Sequence, residues 1–222
     1  IFLIGVFLAF YAKDLRIDAS SDSLNLKNDQ DLEIYRSIKE KYGNDPFLII
    51  IYKPKKIGLF EDEILAEIGD LQEQISALEN VTGMTSILNV PLLKNSPISF
   101  QNPHGKINYF ADIGQKDAIK EIMESDFFTD LIIDKNGEIA ALIVNLLPGR
   151  DDKNTIEKVR NITKKYQDKA EIYIGGVPMI VADSVEYIKG DLKKFTALIL
   201  IFILAALIFV FKRLFWAILA LF

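Results

Sequence analysis

Residues able to do chemistry are few in this chain, and they do not converge. The single histidine, His104, sits in QNPHGK, and the sequence offers no cysteine and no second histidine to complete a metal site or a nucleophile–base pair. A solvent-facing loop histidine is the expectation there. Asp183, Glu186 and Asp191 follow one another closely enough to pair as carboxylates. With Asp191 beside Lys193 and Lys194, they read more simply as the solvated face of a helix. Glu61, Asp62 and Glu63 suit a helix start, where negative charge meets the positive end of the dipole. No glycine-rich phosphate cradle is present. The sequence therefore points to no enzyme, no cofactor and no metal.

What stands out instead is mechanical. Gly175, Gly176 and Pro178 lie together in EIYIGGVPMIV, after a strand-like run and before a long helical one. Two glycines permit a sharp turn or a close backbone approach. Proline fits the first helical turn, where its missing N–H costs nothing. These three residues are the candidate coupling hinge.

The elements around them divide by polarity. Half of the 222 residues are hydrophobic and 26% are charged, with a formal net charge of −5. The apolar residues crowd the two ends, which suits a folded domain joined to membrane segments. The acidic balance excludes nucleic acid as the main partner, because phosphate binding needs clustered Lys and Arg. Phe195 to Phe211 reads FTALILIFILAALIFVF, without one ionisable side chain. Roughly 17 to 25 such residues cross a bilayer, so a transmembrane helix is expected over 195–211. The opening IFLIGVFLAFYA is expected to be part of a first such helix over 1–12, and LFWAILALF the start of a third over 214–222. The chain is accordingly expected to be a piece of a longer protein. Asp191, Lys193 and Lys194 before the central run, and Lys212 and Arg213 after it, are the expected membrane-interface charges. A short Lys-Arg link favours the cytoplasmic side, which places residues 13–194 outside the cytoplasm.

Between the helices the periodicity alternates. DLEIYRSIKEKYG predicts a short amphipathic helix carrying Leu32, Tyr35, Ile38 and Tyr42 on one face. FLIIIY, 47–52, predicts a strand buried on both faces. Ile64, Ile68, Leu71, Ile75 and Leu78 mark one side of a helix over 61–80, and 81–88 a second strand. An irregular excursion rich in proline and glycine runs from Asn89 to about Gly114. A short helix from Gln115 and a hairpin at Asn136-Gly137 follow. Ile156, Val159, Ile162 and Tyr166 then mark another helix, and EIYIGG a last strand. With about 89–137 set aside as an insertion, the order is βαββαβ. That order predicts an α+β, ferredoxin-like domain with an antiparallel sheet and two helices on one face.

Two stretches, DLEIYRSIKEKYGNDPFLIIIY and IGGVPMIVADSVEYIKGDLKKF leading into the apolar run and FKRLFWAILALF, resemble the resistance–nodulation–division (RND) superfamily, in particular its MMPL-type exporters. In that family a Gly-x-Pro segment starts a helix that rises into the membrane span, and Gly176, Val177 and Pro178 match it here. The resemblance implies a multi-pass plasma (inner) membrane protein with a porter-type outer domain, working as a proton-driven exporter of hydrophobic or amphipathic substrates such as lipids or drugs. It implies as partners the lipid bilayer, the remaining transmembrane helices, a second half of the same transporter and the substrate. It leaves room for a homo-oligomer. The alternatives are an extracytoplasmic sensor domain of a membrane receptor and a protein-translocation accessory factor. The short Lys-Arg link followed at once by another apolar run speaks against the sensor.

Overall fold

A computed structural model describes residues 46–97, 105–148 and 152–212, together with Ile34, Ser37, Ile38 and Lys41. Its central element is β1, Phe47–Pro54, whose side chains alternate between the two faces of the sheet. Leu48, Ile50 and Tyr52 are fully buried on one face, while Ile49 and Ile51 on the other are half-buried and Phe47 is exposed. The expected burial on both faces is thus corrected, because among the described residues helices cover only one side of the strand. Strand β3, Ala140–Leu146, pairs antiparallel with β1 and sets Leu142 opposite Ile50 and Val144 opposite Leu48, continuing the buried face. Strand β4, Ala170–Gly175, pairs antiparallel with the other edge of β1, and β2, Val81–Thr85, with the outer edge of β3. The sheet order is β2-β3-β1-β4, with every neighbour antiparallel.

Two helices cover the buried face. Helix α1, Asp62–Ser76, starts at the acidic cluster and buries Ile64, Leu65, Ile68, Leu71 and Ile75 at three- and four-residue steps. It ends before Leu78, which lies half-buried beyond the last turn. Helix α3, Asp152–Lys164, follows the third strand and buries Thr155, Ile156, Val159 and Thr163. Polar pairs stitch α1 and the segment leading from it to α3 and the turn behind it. Gln74 Nε2 donates to Tyr166 Oη at 2.7 Å, and Asn80 Nδ2 donates to Thr155 Oγ1 at 3.1 Å.

A charged network runs from this core to the surface, with Tyr52 and Glu67 buried and Lys169 and Glu63 exposed. The Tyr52 hydroxyl donates to Glu67 Oε2 at 2.8 Å, and Lys169 pairs with Glu67 Oε1 and, at 3.1 Å, with Glu63. Burial, and then the Glu67 carboxylate, push the Tyr52 phenol well above its ordinary range. The hydrogen bonds that Lys169 donates to Glu67 and Glu63 raise its own pKa. Glu67 is the charged residue on the apolar face of α1, and it is held there by partners on β1 and before β4.

Residues 86–139 separate β2 from β3 and carry a 3₁₀ turn, Phe110–Asp112, and helix α2, Gln115–Met123. Val90, Leu92, Phe110, Ala118, Ile122, Phe128 and Ile132 are buried within it. Its loops are fixed by side chains that bond to backbone. Buried Glu121 accepts from the amides of Lys94 at 2.8 Å and Asn95 at 3.1 Å, and from Asn95 Nδ2 at 2.7 Å. Ser96 Oγ donates to the Leu92 carbonyl at 2.6 Å and accepts from the Asn108 amide at 2.8 Å. The stretch expected to be irregular holds neither a strand nor an α-helix over its described part, and side chains and a bridge between Leu92 and Asn108 close it.

At Asn136-Gly137 the chain does turn, but its arms meet only in an isolated bridge between Ile133 and Ala140. Asp134 organises that turn. Its carboxylate accepts from the amides of Asn136, Glu138 and Ile139. Burial alone would raise the Asp134 carboxyl, yet those amides outweigh it and hold the group below its ordinary range. Gly137 adopts φ 70°, and a Cβ there would stand 3.1 Å from the Phe60 ring.

Of the helix expected over 31–43, Ile34, Ser37, Ile38 and Lys41 are helical, and Ile38 is exposed rather than packed. Leu32, Tyr35 and Tyr42 lie outside the described residues, as do the apolar runs at 1–12 and 214–222. The last element, α4, is one unbroken helix over Val177–Phe211.

Candidate functional site: the strand-to-helix junction

The three residues singled out as a hinge lie at the end of β4 and the start of α4. Gly175 is the last residue of β4, directly across from Ile49 of β1. A Cβ added there would meet nothing within 4 Å, so the position does not require glycine for space. Gly176 differs. Its φ of +123° is reached at low strain only without a side chain. A Cβ there would lie 2.5 Å from the Phe47 carbonyl oxygen and 3.2 Å from the Leu48 Cα. The backbone of Gly176 thus packs directly on the first peptide of β1.

Helix α4 begins immediately afterwards. The Ile180 amide donates to the Gly176 carbonyl at 3.2 Å, closing the first turn. Pro178 falls inside that turn, where no N–H is missed, and it is buried. The junction is therefore a tight joint built from a close backbone approach and one buried ring. The motif Gly-x-Pro signalled the turn. The contact with Phe47 had no local signal, since it joins residues far apart in sequence.

Beyond the joint, α4 changes character. Val181 to Val185 are half-buried, Glu186 to Lys189 are exposed, and from Asp191 the helix is exposed almost throughout. Asp191 and Lys194 form a loose surface pair at 3.9 Å, with Lys193 exposed between them. Lys212 ends the helix at φ 52° and is exposed, while Arg213 lies outside the described residues. Helix α4 is long and apolar enough to cross a bilayer, and its most apolar window is not covered by protein.

Among the described residues no three His, Cys, Asp or Glu side chains gather to hold a metal ion. His104 lies outside the described residues. Sequence reasoning missed the Tyr52–Glu67–Lys169 network and the Glu121 clamp. A signal existed for both, because Glu67 and Glu121 each fall on the apolar face of a helix, next to Ile68 and Ile122.

The MMPL family model matches residues 45–222, which takes in the whole sheet, the insertion and all of α4. The chain belongs to the MMPL family. No curated protein matches it. Membership makes the chain part of an RND/MMPL-type membrane transporter, and the family consists of transporters rather than enzymes. For an MMPL protein the junction gains meaning, because one helix carries both the edge of a folded sheet and a stretch fit for lipid.

Proposed function

We propose that this MMPL chain is part of a proton-driven exporter of hydrophobic or amphipathic substrates, with its α/β domain forming part of the substrate path. The observation that carries the proposal is the continuity of α4 from the Gly176 joint to the apolar run that ends at Phe211. In this reading the domain over about 13–194 lies outside the cytoplasm of a multi-pass plasma membrane protein. Its strand order, β2-β3-β1-β4 with helices α1 and α3 on one face, supports a ferredoxin-like porter domain. The residues that move protons belong to other helices, since the apolar run of α4 has no ionisable side chain.

Proton movement would tilt the membrane helices, and α4 would carry the motion to the sheet. Gly175, Gly176 and Pro178 are the proposed coupling joint. The crowding at Gly176, where no Cβ could fit against the Phe47 carbonyl, favours a joint that transmits force over one that flexes. Asp191, Lys193 and Lys194 would mark one membrane interface, where Lys side chains extend their ammonium groups to water. Lys212 and Arg213 would mark the other. The remaining transmembrane helices and a second half of the transporter would complete the path.

The test is transport of a fluorescent phospholipid analogue by the full-length protein in proteoliposomes, with and without an imposed proton gradient. Gradient-dependent movement supports the proposal, whereas gradient-independent or absent movement overturns the proton-driven reading. Protease added to intact cells should cut the α/β domain. Protection there, with cutting in inverted vesicles, reverses the orientation.

A further inference from the structure

We propose that α4 has a bending point of its own at Gly190, separate from the joint at Gly176, and that this point reduces how much tilt of the membrane segment reaches the sheet. The inference rests on the reading of α4 as the link between domain and bilayer.

The two ends of the polar part of α4 are held very differently. At its start, β4 is paired with β1 as far as Gly175, Gly176 abuts the Phe47 carbonyl, and Pro178 is buried. A swing of the helix at that place would drive backbone into backbone. Burial then fades along 181–185 and is lost at 186–189. Gly190 follows, the one glycine in the helix. It has helical φ, and a Cβ there would meet nothing within 4 Å. Among the described residues neither a turn nor a close neighbour accounts for glycine at this position. Glycine is the poorest helix former after proline, because it has the most backbone freedom to lose. Its neighbours Lys189 and Asp191 are solvated, so water competes for the local backbone hydrogen bonds. Kinks in long helices concentrate at such places.

The position along the helix matters too. Gly190 precedes Phe195, where the uncharged run begins, by about 7 Å at the rise of an α-helix. A bend there lies just outside the hydrocarbon. Tilt of the apolar arm would then reach the sheet only in part, and the stiff arm from Pro178 to Lys189 would transmit what remains. Replacing the glycine with alanine stiffens the rod, and among the described residues it adds no clash.

The experiment compares full-length wild type with Gly190→Ala in lipid nanodiscs by amide hydrogen exchange. Gly190→Ala favours helix, so loss of folding is not expected to confuse the result. Amides at 191–194, whose carbonyl partners lie at 187–190, should exchange about fivefold faster in wild type. That factor is the helix-propensity difference between glycine and alanine expressed as an equilibrium constant. Amides at 181–185 should be unchanged. Equal exchange at 191–194 in the two proteins overturns the bending point, whatever transport does. A measured difference in exchange with unaltered movement of a fluorescent phospholipid analogue overturns its mechanical role. If wild type moves no analogue at all, the exporter reading falls, while the exchange comparison still decides whether α4 bends at Gly190.

Discussion

The sheet with α1 and α3, and the insertion between β2 and β3, are both ordered, but they are held by different forces. In the sheet, alternate side chains of β1 and β3 meet the apolar faces of two helices, and backbone groups pair in ladders. In the insertion, one carboxylate after another closes loops by accepting backbone amides: Glu121 at Lys94 and Asn95, Asp134 at 136–139, Asp112 at Tyr109. The first kind of order is spread over many contacts. The second adds a few polar atoms, each closing a separate loop, to a smaller buried cluster around Leu92, Ile122 and Phe128. The sheet should therefore fail as a whole and the insertion piece by piece.

The largest effect is expected in the sheet. Ile50→Ala removes a fully buried side chain from the central strand and should cost about 2–5 kcal/mol. Hydrogen exchange should rise together in β1, β3 and β4. Opening confined to β1 would show that the sheet is not one cooperative unit. Next comes Gly176→Ala, which forces a side chain onto the Phe47 carbonyl and should cost about 1–3 kcal/mol. Gly175→Ala, with open space around it, should stay within about 0.5 kcal/mol of wild type. Similar losses at the two glycines in thermal unfolding would remove the steric argument for the joint.

Glu121→Ala leaves the Lys94 and Asn95 amides without their acceptor, at a cost of about 1–3 kcal/mol. Exchange should rise at 92–97 and 105–112 while β1 stays protected. Spread of the effect to β1 would merge the two regions into one.

pH should separate them as well, in opposite directions. Tyr52 in the core is raised above 10.0, so its contribution is complete below that value and is lost as pH climbs beyond it. Asp134 in the insertion is lowered from 3.8, so its contribution is present above that value and is lost as pH falls through the folded-state pKa. Alkaline conditions should loosen the sheet and acid the turn at 134–139. Tyr52→Phe should flatten the alkaline loss, which melts between pH 8 and 11 would check.

These differences also explain what the sequence disclosed. Ile64, Ile68, Leu71 and Ile75 repeat at helical steps, so α1 could be read directly, and FLIIIY read as a strand because it is short, rich in isoleucine and bounded by Pro46 and Pro54. The one-sided burial of that strand could not be read, because every residue in it is apolar or aromatic whichever way it points. The insertion was opaque for a related reason. Its order comes from single residues such as Glu121 and Asp134 reaching backbone a few or many positions away, and that leaves no period. At the junction, Gly176 and Pro178 were visible as turn chemistry. The Phe47 carbonyl that makes Gly176 necessary was not, because pairing of β1 with β4 brings it there.

That pairing also sets a schedule for synthesis. The central strand is made first among the four, and its second partner, β4, is made last. Only Gly176 separates that closing strand from α4. As the ribosome releases the chain, the sheet lacks its edge until the moment when the greasy helix emerges behind it. On the reading that α4 enters the bilayer, completion of the sheet and placement of α4 become neighbouring steps, because a single residue stands between their segments.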